Sequence, residues 1–242
     1  MDLICVKQIS DEEIKKLNGS YIDETYIKYP IINGDCDCYT DEGELLFKFR
    51  KSIIPDTTKY FSLFKDLTPN KATRGRGASA GAVSADHPYW KKRVLADTKG
   101  YSTKYMNGST ISKMRVNNPV YSNPVGFYEP SHSFGGKECR LTKFTMDNYE
   151  QFSGGMEYIR MLADSYKDLN PEKYWDQLER ADTRSYLQIP DTPFSTITFN
   201  RNFRTALHKD KGDYGFGNLS VLERGKYSGG YFVIPQYGVA ID

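Results

Sequence analysis

Apolar side chains recur at Tyr149, Phe152, Met156, Ile159, Leu162, Tyr166 and Leu169, spaced 3, 4, 3, 3, 4 and 3. Positions three and four apart share one face of an α-helix. The spacing therefore predicts a single apolar stripe on a helix that starts near Asp147 and runs through Gly154-Gly155. Such aromatics and methionines read as core contacts rather than a cofactor box. Asn170-Pro171 caps a following helix, with Tyr174, Trp175 and Leu178 expected to pack inward. After Arg184 the period changes to two. Ser195–Leu207 reads as a strand with room for a bend, Gly217–Glu223 as a second and Gly230–Pro235 as a third, and Tyr237–Asp242 starts a fourth. Short strands divided by Gly-containing turns predict an antiparallel sheet or barrel. Helices followed by antiparallel strands make the expected fold class α+β, with the helices packed on one sheet.

The rest of the 242 residues fits one large domain or a domain with a helical annex. Ser10-Asp-Glu-Glu13 forms a capping box that opens a short helix stopping at Gly19. Glu44–Phe49 reads as a strand after a turn at Asp41–Gly43. The expected parts are an N-terminal helix and strands over 1–70, a basic loop-rich segment over 71–136, helices over 140–184 and the strand region over 194–242. Hydrophobic residues at 38% and charged residues at 26% are ordinary for a globular chain, and aromatics at 14%, mostly Tyr, lean toward β structure. No apolar run approaches the roughly 18 residues that span a bilayer, and MDLICVKQISDEE turns acidic too early for a secretory signal. The expected setting is cytoplasmic or nuclear, or a host cell or virion if the source is viral, with no membrane partner. Cys5, Cys36, Cys38 and Cys139 are then expected as reduced thiols. Cys36-Asp37-Cys38 lacks the spacing and the second ligand pair of a zinc site, so a solvated turn is expected there.

The charge is unevenly spread. From Lys71 to Arg115 there are ten basic residues against Asp86 and Asp97, in a chain whose net charge is only +2. Arg74, Arg76, Lys91, Lys92 and Arg93 lie in this segment, interleaved with Tyr89, Trp90, Tyr101 and Tyr105. Such a pattern can follow a phosphate backbone; a solvated basic face is the alternative. RGRGASAG (Arg74–Gly81) matches no phosphate-loop pattern and reads as a mobile basic loop, suited to a substrate lid.

On the strand after Ser195, alternation places Asn200, Asn202, Arg204, Ala206 and His208 on one face, with Phe199, Phe203 and Leu207 on the other. The polar face ends in His208-Lys209-Asp210. A neutral imidazole and a carboxylate one residue apart are two of the three ligands in the facial triad of non-haem Fe(II) oxygenases. Alone, H-x-D is a common tripeptide.

FSTITFNRNFRTALHKDKGDYGFGNLSVLERGKYSGGYFVIPQYGVAID (Phe194–Asp242) resembles the TET/JBP-type Fe(II)/2-oxoglutarate dioxygenases, in particular their short single-domain members. RTALHKDKGD, GFGNLSVLE and GGYFVIPQYGVAID are similar to three successive blocks of that group's double-stranded β-helix, or jelly-roll. CRLTKFT and HPYWKKR are similar to upstream parts. The resemblance implies His208 and Asp210 as iron ligands, and Asn200, Asn202 and Arg204 as contacts to 2-oxoglutarate. It also implies that the basic segment, with Arg74, Arg76, Lys91, Lys92 and Arg93, faces a nucleic-acid base of the 5-methylpyrimidine type, extruded for hydroxylation of a C–H bond.

In the family pattern a further strand, past the equivalent of Asp242, bears the distal iron-binding His, followed by a basic residue that clamps the far carboxylate of 2-oxoglutarate. The expected β-helix core is thus incomplete over 194–242, and only His87 and His132 stand as substitutes. Three readings follow. A dioxygenase is completed by further strands, by another polypeptide or by a homo-oligomer. An inactive fold serves as a nucleic-acid-binding or structural module. A hydroxylase acts on a protein or a small molecule.

Overall fold

The computed structural model describes residues 1–54, 57–68, 79, 83–84, 101–104, 111–116, 121–128, 140–183, 187–201, 204–209, 219–221 and 229–242. Strand β1 (Asp2–Cys5) leads to helix α1 (Asp11–Leu17). The capping box forms as expected: the Ser10 hydroxyl accepts from the Glu13 N–H, and the Glu13 carboxylate accepts from the Ser10 N–H. Gly19 follows with φ +82°. Strand β2 (Cys36–Thr40) pairs parallel with β1 and antiparallel with β3 (Leu45–Phe49). Here one expectation is corrected. Cys36-Asp37-Cys38 is not a solvated turn but the start of a central strand, with both thiols fully buried. The period of two turns Cys36, Cys38 and Thr40 inward and leaves Asp37 to pair with Arg50 at the rim.

Helix α2 (Thr57–Leu67) comes next, then strands β4 (Val83–Ser84), β5 (Tyr101–Lys104) and β6 (Ile111–Val116), joined antiparallel in the order β4-β6-β5. Strand β7 (Ser122–Tyr128) is the centre of the sheet that matters most for the site. It pairs with β8 (Arg140–Leu141) on one side and with β9 (Thr196–Asn200) on the other. The strands therefore do not all follow the helices: β9 finds its partner in a strand that precedes them.

Helices α3 (Lys143–Asp147), α4 (Tyr149–Gly154), α5 (Met156–Leu169) and α6 (Pro171–Asp182) connect β8 to β9. The single helix expected from the apolar stripe is divided at Gly155. Phe152, Met156, Ile159, Leu162 and Tyr166 are buried as the spacing predicts, while Tyr149 is 61% exposed. Trp175 is also outside, 53% exposed, with the Lys167 ammonium 4.8 Å from its ring. It neighbours the inward Tyr174, and one residue is a 100° step around a helix.

The main core joins α2, α4 and α5 to β7 and β9 through Leu67, Val125, Phe152, Ile159 and Phe199, among others. A second core has Cys5, Ile32, Cys36 and Cys38 from the N-terminal region and Val239 and Ile241 from the hairpin of β10 (Phe232–Ile234) and β11 (Val239–Ile241). Backbone bonds seal this junction: the Ile32 N–H donates to the Ala240 carbonyl at 2.9 Å, and the Asp242 N–H to the Ile32 carbonyl at 2.8 Å.

Two adjacent glycines distinguish packing from propensity. A Cβ at Gly155 would lie 2.6–2.8 Å from the side chain of fully buried Leu67, whereas one at Gly154 would meet nothing within 4 Å. Gly155→Ala is expected to cost about 1–3 kcal/mol. Gly154→Ala should be neutral, or stabilising by up to about 1 kcal/mol. Urea denaturation of the two variants checks both values.

Candidate active site

Strand β9 leaves the sheet toward His208. Near its end Phe199 is 3% exposed, with its ring centroid 5.8 Å from that of Phe64 on α2 and 6.1 Å from that of Tyr158 on α5. The apolar face therefore meets the helices, as its alternation predicts, and Asn200 next to it is exposed. Pairing with the β7 side continues one step further, through an Arg201 N–H bond to the Tyr121 carbonyl at 2.9 Å.

The alternation then stops. Neighbouring Arg204 and Thr205 are both exposed, and Ala206, placed by period two on the polar face, is 1% exposed. The cause is a change of partner. The Ala206 N–H donates to the Ser79 carbonyl at 2.8 Å, and the Leu207 N–H to the Ser20 carbonyl at 2.9 Å. The Leu207 carbonyl in turn accepts from the Gly19 N–H at 2.7 Å. From Ala206 on, the segment is held by the N-terminal region and by Ser79 instead of by a regular strand.

His208 is partly buried, and its ring Nδ1 lies 2.8 Å from the Ala206 carbonyl oxygen. A carbonyl can only accept, so Nδ1 carries the proton, and in the neutral ring the lone pair sits on Nε2. This is how a metal-binding histidine is commonly oriented, with one ring nitrogen tied to a carbonyl and the other used as ligand. In that respect His208 fits an iron ligand. Arg204 donates from Nη2 to the Ile22 carbonyl at 2.8 Å, and its guanidinium lies 5.0 Å from the centre of the Tyr21 ring. Nearby, hydrogen bonds from Thr25 hold the Asp23 carboxyl below its ordinary range, with Arg204 adding a smaller effect.

The structure thus brings His208 and Arg204 onto one N-terminal segment and places Asn200 at the end of β9. Asp210, Asn202, Arg74, Arg76, Lys91, Lys92 and Arg93 lie outside the described residues, as do His87, His132 and most of Gly217–Glu223. Among the described residues, no group of three or more His, Cys, Asp or Glu is placed to hold a metal ion. Nor is any described helix long and apolar enough to cross a membrane. Sequence reasoning missed Gly19, Ser20 and Tyr21. The only signal was Gly19 as a helix stop, and nothing local points to its partner Leu207.

The class to which this site belongs comes from comparison with known proteins. Residues 123–242 match the family model described as the oxygenase domain of the 2OGFeDO superfamily, which implies dependence on Fe(II) and 2-oxoglutarate and a double-stranded β-helix core. The matched segment, just under half of the chain, carries the pattern of the Tet/JBP oxygenase domain. It is 34% identical over 148 residues to the bifunctional helicase and thymine dioxygenase JBP2 of Trypanosoma brucei brucei, covering 60% of this chain and 13% of that protein. It is 39% identical over 114 residues to the JBP2 of Leishmania braziliensis, covering 46% and 10%. With the thymine dioxygenase JBP1-B of Trypanosoma cruzi it shares 32% over 146 residues, covering 55% and 17%. The match thus spans 10–17% of the length of these three relatives. No solved structure matches the chain.

The cysteines stand apart from this site. The Cys5 and Cys38 sulfurs are 3.0 Å apart, and burial pushes the Cys36 and Cys38 thiols above their ordinary range. Thiols held neutral are poor nucleophiles and poor metal ligands. Because Cys5, Cys36 and Cys38 are all buried away from solvent, they are expected to resist iodoacetamide in the native protein and to label once it is denatured. Mass spectrometry of the labelled peptides reads this directly.

Proposed function

We propose that the protein is an Fe(II)/2-oxoglutarate-dependent dioxygenase that hydroxylates the methyl group of a 5-methylpyrimidine base in nucleic acid. The observation that carries this reading is the oxygenase-domain match over 123–242, together with 32–39% identity to proteins described as thymine dioxygenases. A double-stranded β-helix built on β9, β10 and β11 is the core that goes with it.

In this reading His208 binds iron through Nε2, because its Nδ1–H is donated to the Ala206 carbonyl. Asp210 supplies a carboxylate two residues on, and a distal His completes the set in the family pattern. When bound, Fe(II) with 2-oxoglutarate and O₂ supplies the oxidant: one oxygen atom enters the C–H bond, and the other leaves in succinate as CO₂ is released. Asn200 and Asn202 offer amide hydrogen bonds to 2-oxoglutarate. Arg204 offers a guanidinium for one of its carboxylates, from a position that also braces the N-terminal segment. Arg74, Arg76, Lys91, Lys92 and Arg93 hold phosphates, which orients the strand and lets the extruded base reach the iron.

The test is an anaerobic Fe(II) titration of the wild type and His208→Ala, with and without 2-oxoglutarate. Succinate formation is then followed on thymine-containing DNA and on the same DNA with uracil in place of thymine. Binding that requires His208, and turnover that requires the thymine methyl and yields 5-hydroxymethyluracil, are the expected results. DNA-independent turnover would point to a protein or small-molecule substrate, and no binding above the His208→Ala level would overturn the reading. Affinity for DNA should fall steeply with added salt, by a slope near −0.9 per phosphate neutralised.

A further inference from the structure

The Ala206–Leu207 peptide is a rigid plane with its carbonyl and its N–H pointing in opposite directions. Its N–H is donated to the Ser20 carbonyl at 2.9 Å, and its carbonyl oxygen, that of Ala206, lies 2.8 Å from His208 Nδ1. Anchoring one edge of the plane at Ser20 therefore aims the other edge at the imidazole. The next peptide, which carries the His208 nitrogen, is fixed in the same way, because the Leu207 carbonyl accepts from the Gly19 N–H at 2.7 Å. Both planes that set the His208 main chain and ring are thus tied to two consecutive residues of the N-terminal region. Arg204, through the Ile22 carbonyl and the Tyr21 ring, ties the same two segments together just before Ala206. None of Gly19–Ile22 falls within the oxygenase-domain match at 123–242.

We propose that Gly19-Ser20 is the positioning element of the metal site: it fixes the tautomer and direction of His208, so that the region before the oxygenase domain prepares the ligand for iron. The metal part rests on the function proposed above; the orientation of the ring does not. The device also explains the residue at position 19. Gly19 has φ +82°, a conformation that costs other L-residues about 1–2 kcal/mol and that Asn tolerates better than most. Relieving that strain in Gly19→Ala would turn the Gly19 N–H and the Ser20 carbonyl away from Leu207. Gly43 is a matched control: φ is +86° in the β2–β3 turn, and an added Cβ would meet nothing within 4 Å.

The experiment uses the whole 242-residue chain. In the metal-free protein, long-range ¹H–¹⁵N NMR of the imidazoles, assigned with His208→Ala, reports which ring nitrogen of His208 carries the proton. At a pH where the ring is neutral the wild type should show Nδ1–H. Gly19→Ala should shift the ring toward the Nε2–H form, whereas Gly19→Asn and Gly43→Ala should keep the wild-type pattern. Fe(II) affinity should fall about 10- to 100-fold in Gly19→Ala alone. A folded Gly19→Ala with the wild-type tautomer and affinity would overturn the proposal, as would an equal change in Gly43→Ala. If the wild type binds no Fe(II), the functional reading fails, and the tautomer measurement still decides the positioning role. If Gly19→Ala does not fold, exchange of the Leu207 amide in the wild type decides: a free-peptide rate excludes the anchor.

Discussion

The site depends on how the chain leaving β9 is held at two ends by different parts of the molecule. Among the described residues β9 pairs only with β7, so the sheet fixes it along one edge. Phe199 supplies the second constraint by entering the helical core between Phe64 and Tyr158. A buried aromatic of this size is among the stronger anchors a short strand can have. Beyond it the backbone is caught by Ser79, Ser20 and Gly19, and His208 sits at the end of that second grip. The grip at Phe199 sets where the segment starts, and the grip at Leu207 sets how it is oriented on arrival.

What could be read in the sequence follows from this division. The inward face of β9 was legible because strand alternation and an apolar core are local facts, and the capping box of α1 was legible for the same reason. Period two failed at Arg204–Leu207 because the hydrogen bonds there go to residues far away in sequence, and no local pattern records them. The Cys36-Asp37-Cys38 tripeptide looked like a turn, since its neighbours are polar; its burial comes from β1, β3 and the β10–β11 hairpin meeting over it. The apolar stripe from Phe152 to Tyr166 was read correctly as a face but wrongly as one helix. Gly155, where the helix divides, is held to glycine by the close approach of Leu67, which only the packed structure contains. His208 was legible as a candidate ligand from the H-x-D spacing, but the carbonyl that orients it was not.

The family match begins at Asn123, yet the physical unit does not. β11 buries Val239 and Ile241 against Cys5, Ile32, Cys36 and Cys38, and the backbone of Ile32 bonds on both sides to Ala240 and Asp242. A boundary drawn by likeness to other proteins therefore cuts through a shared core. Cys5, Ile32, Cys36 and Cys38 thus share one core with the end of the matched segment.

This arrangement also orders events in time. Strands β1 and β2 are made well before the β10–β11 hairpin whose side chains cover them. Gln236 bonds to Asp11 across 225 residues, and Arg204 to Ile22 across 182. Contacts between such distant residues close slowly, because a large loop must be ordered before they are gained. The cysteine-lined face of β1 and β2 therefore stays bare until that hairpin is made.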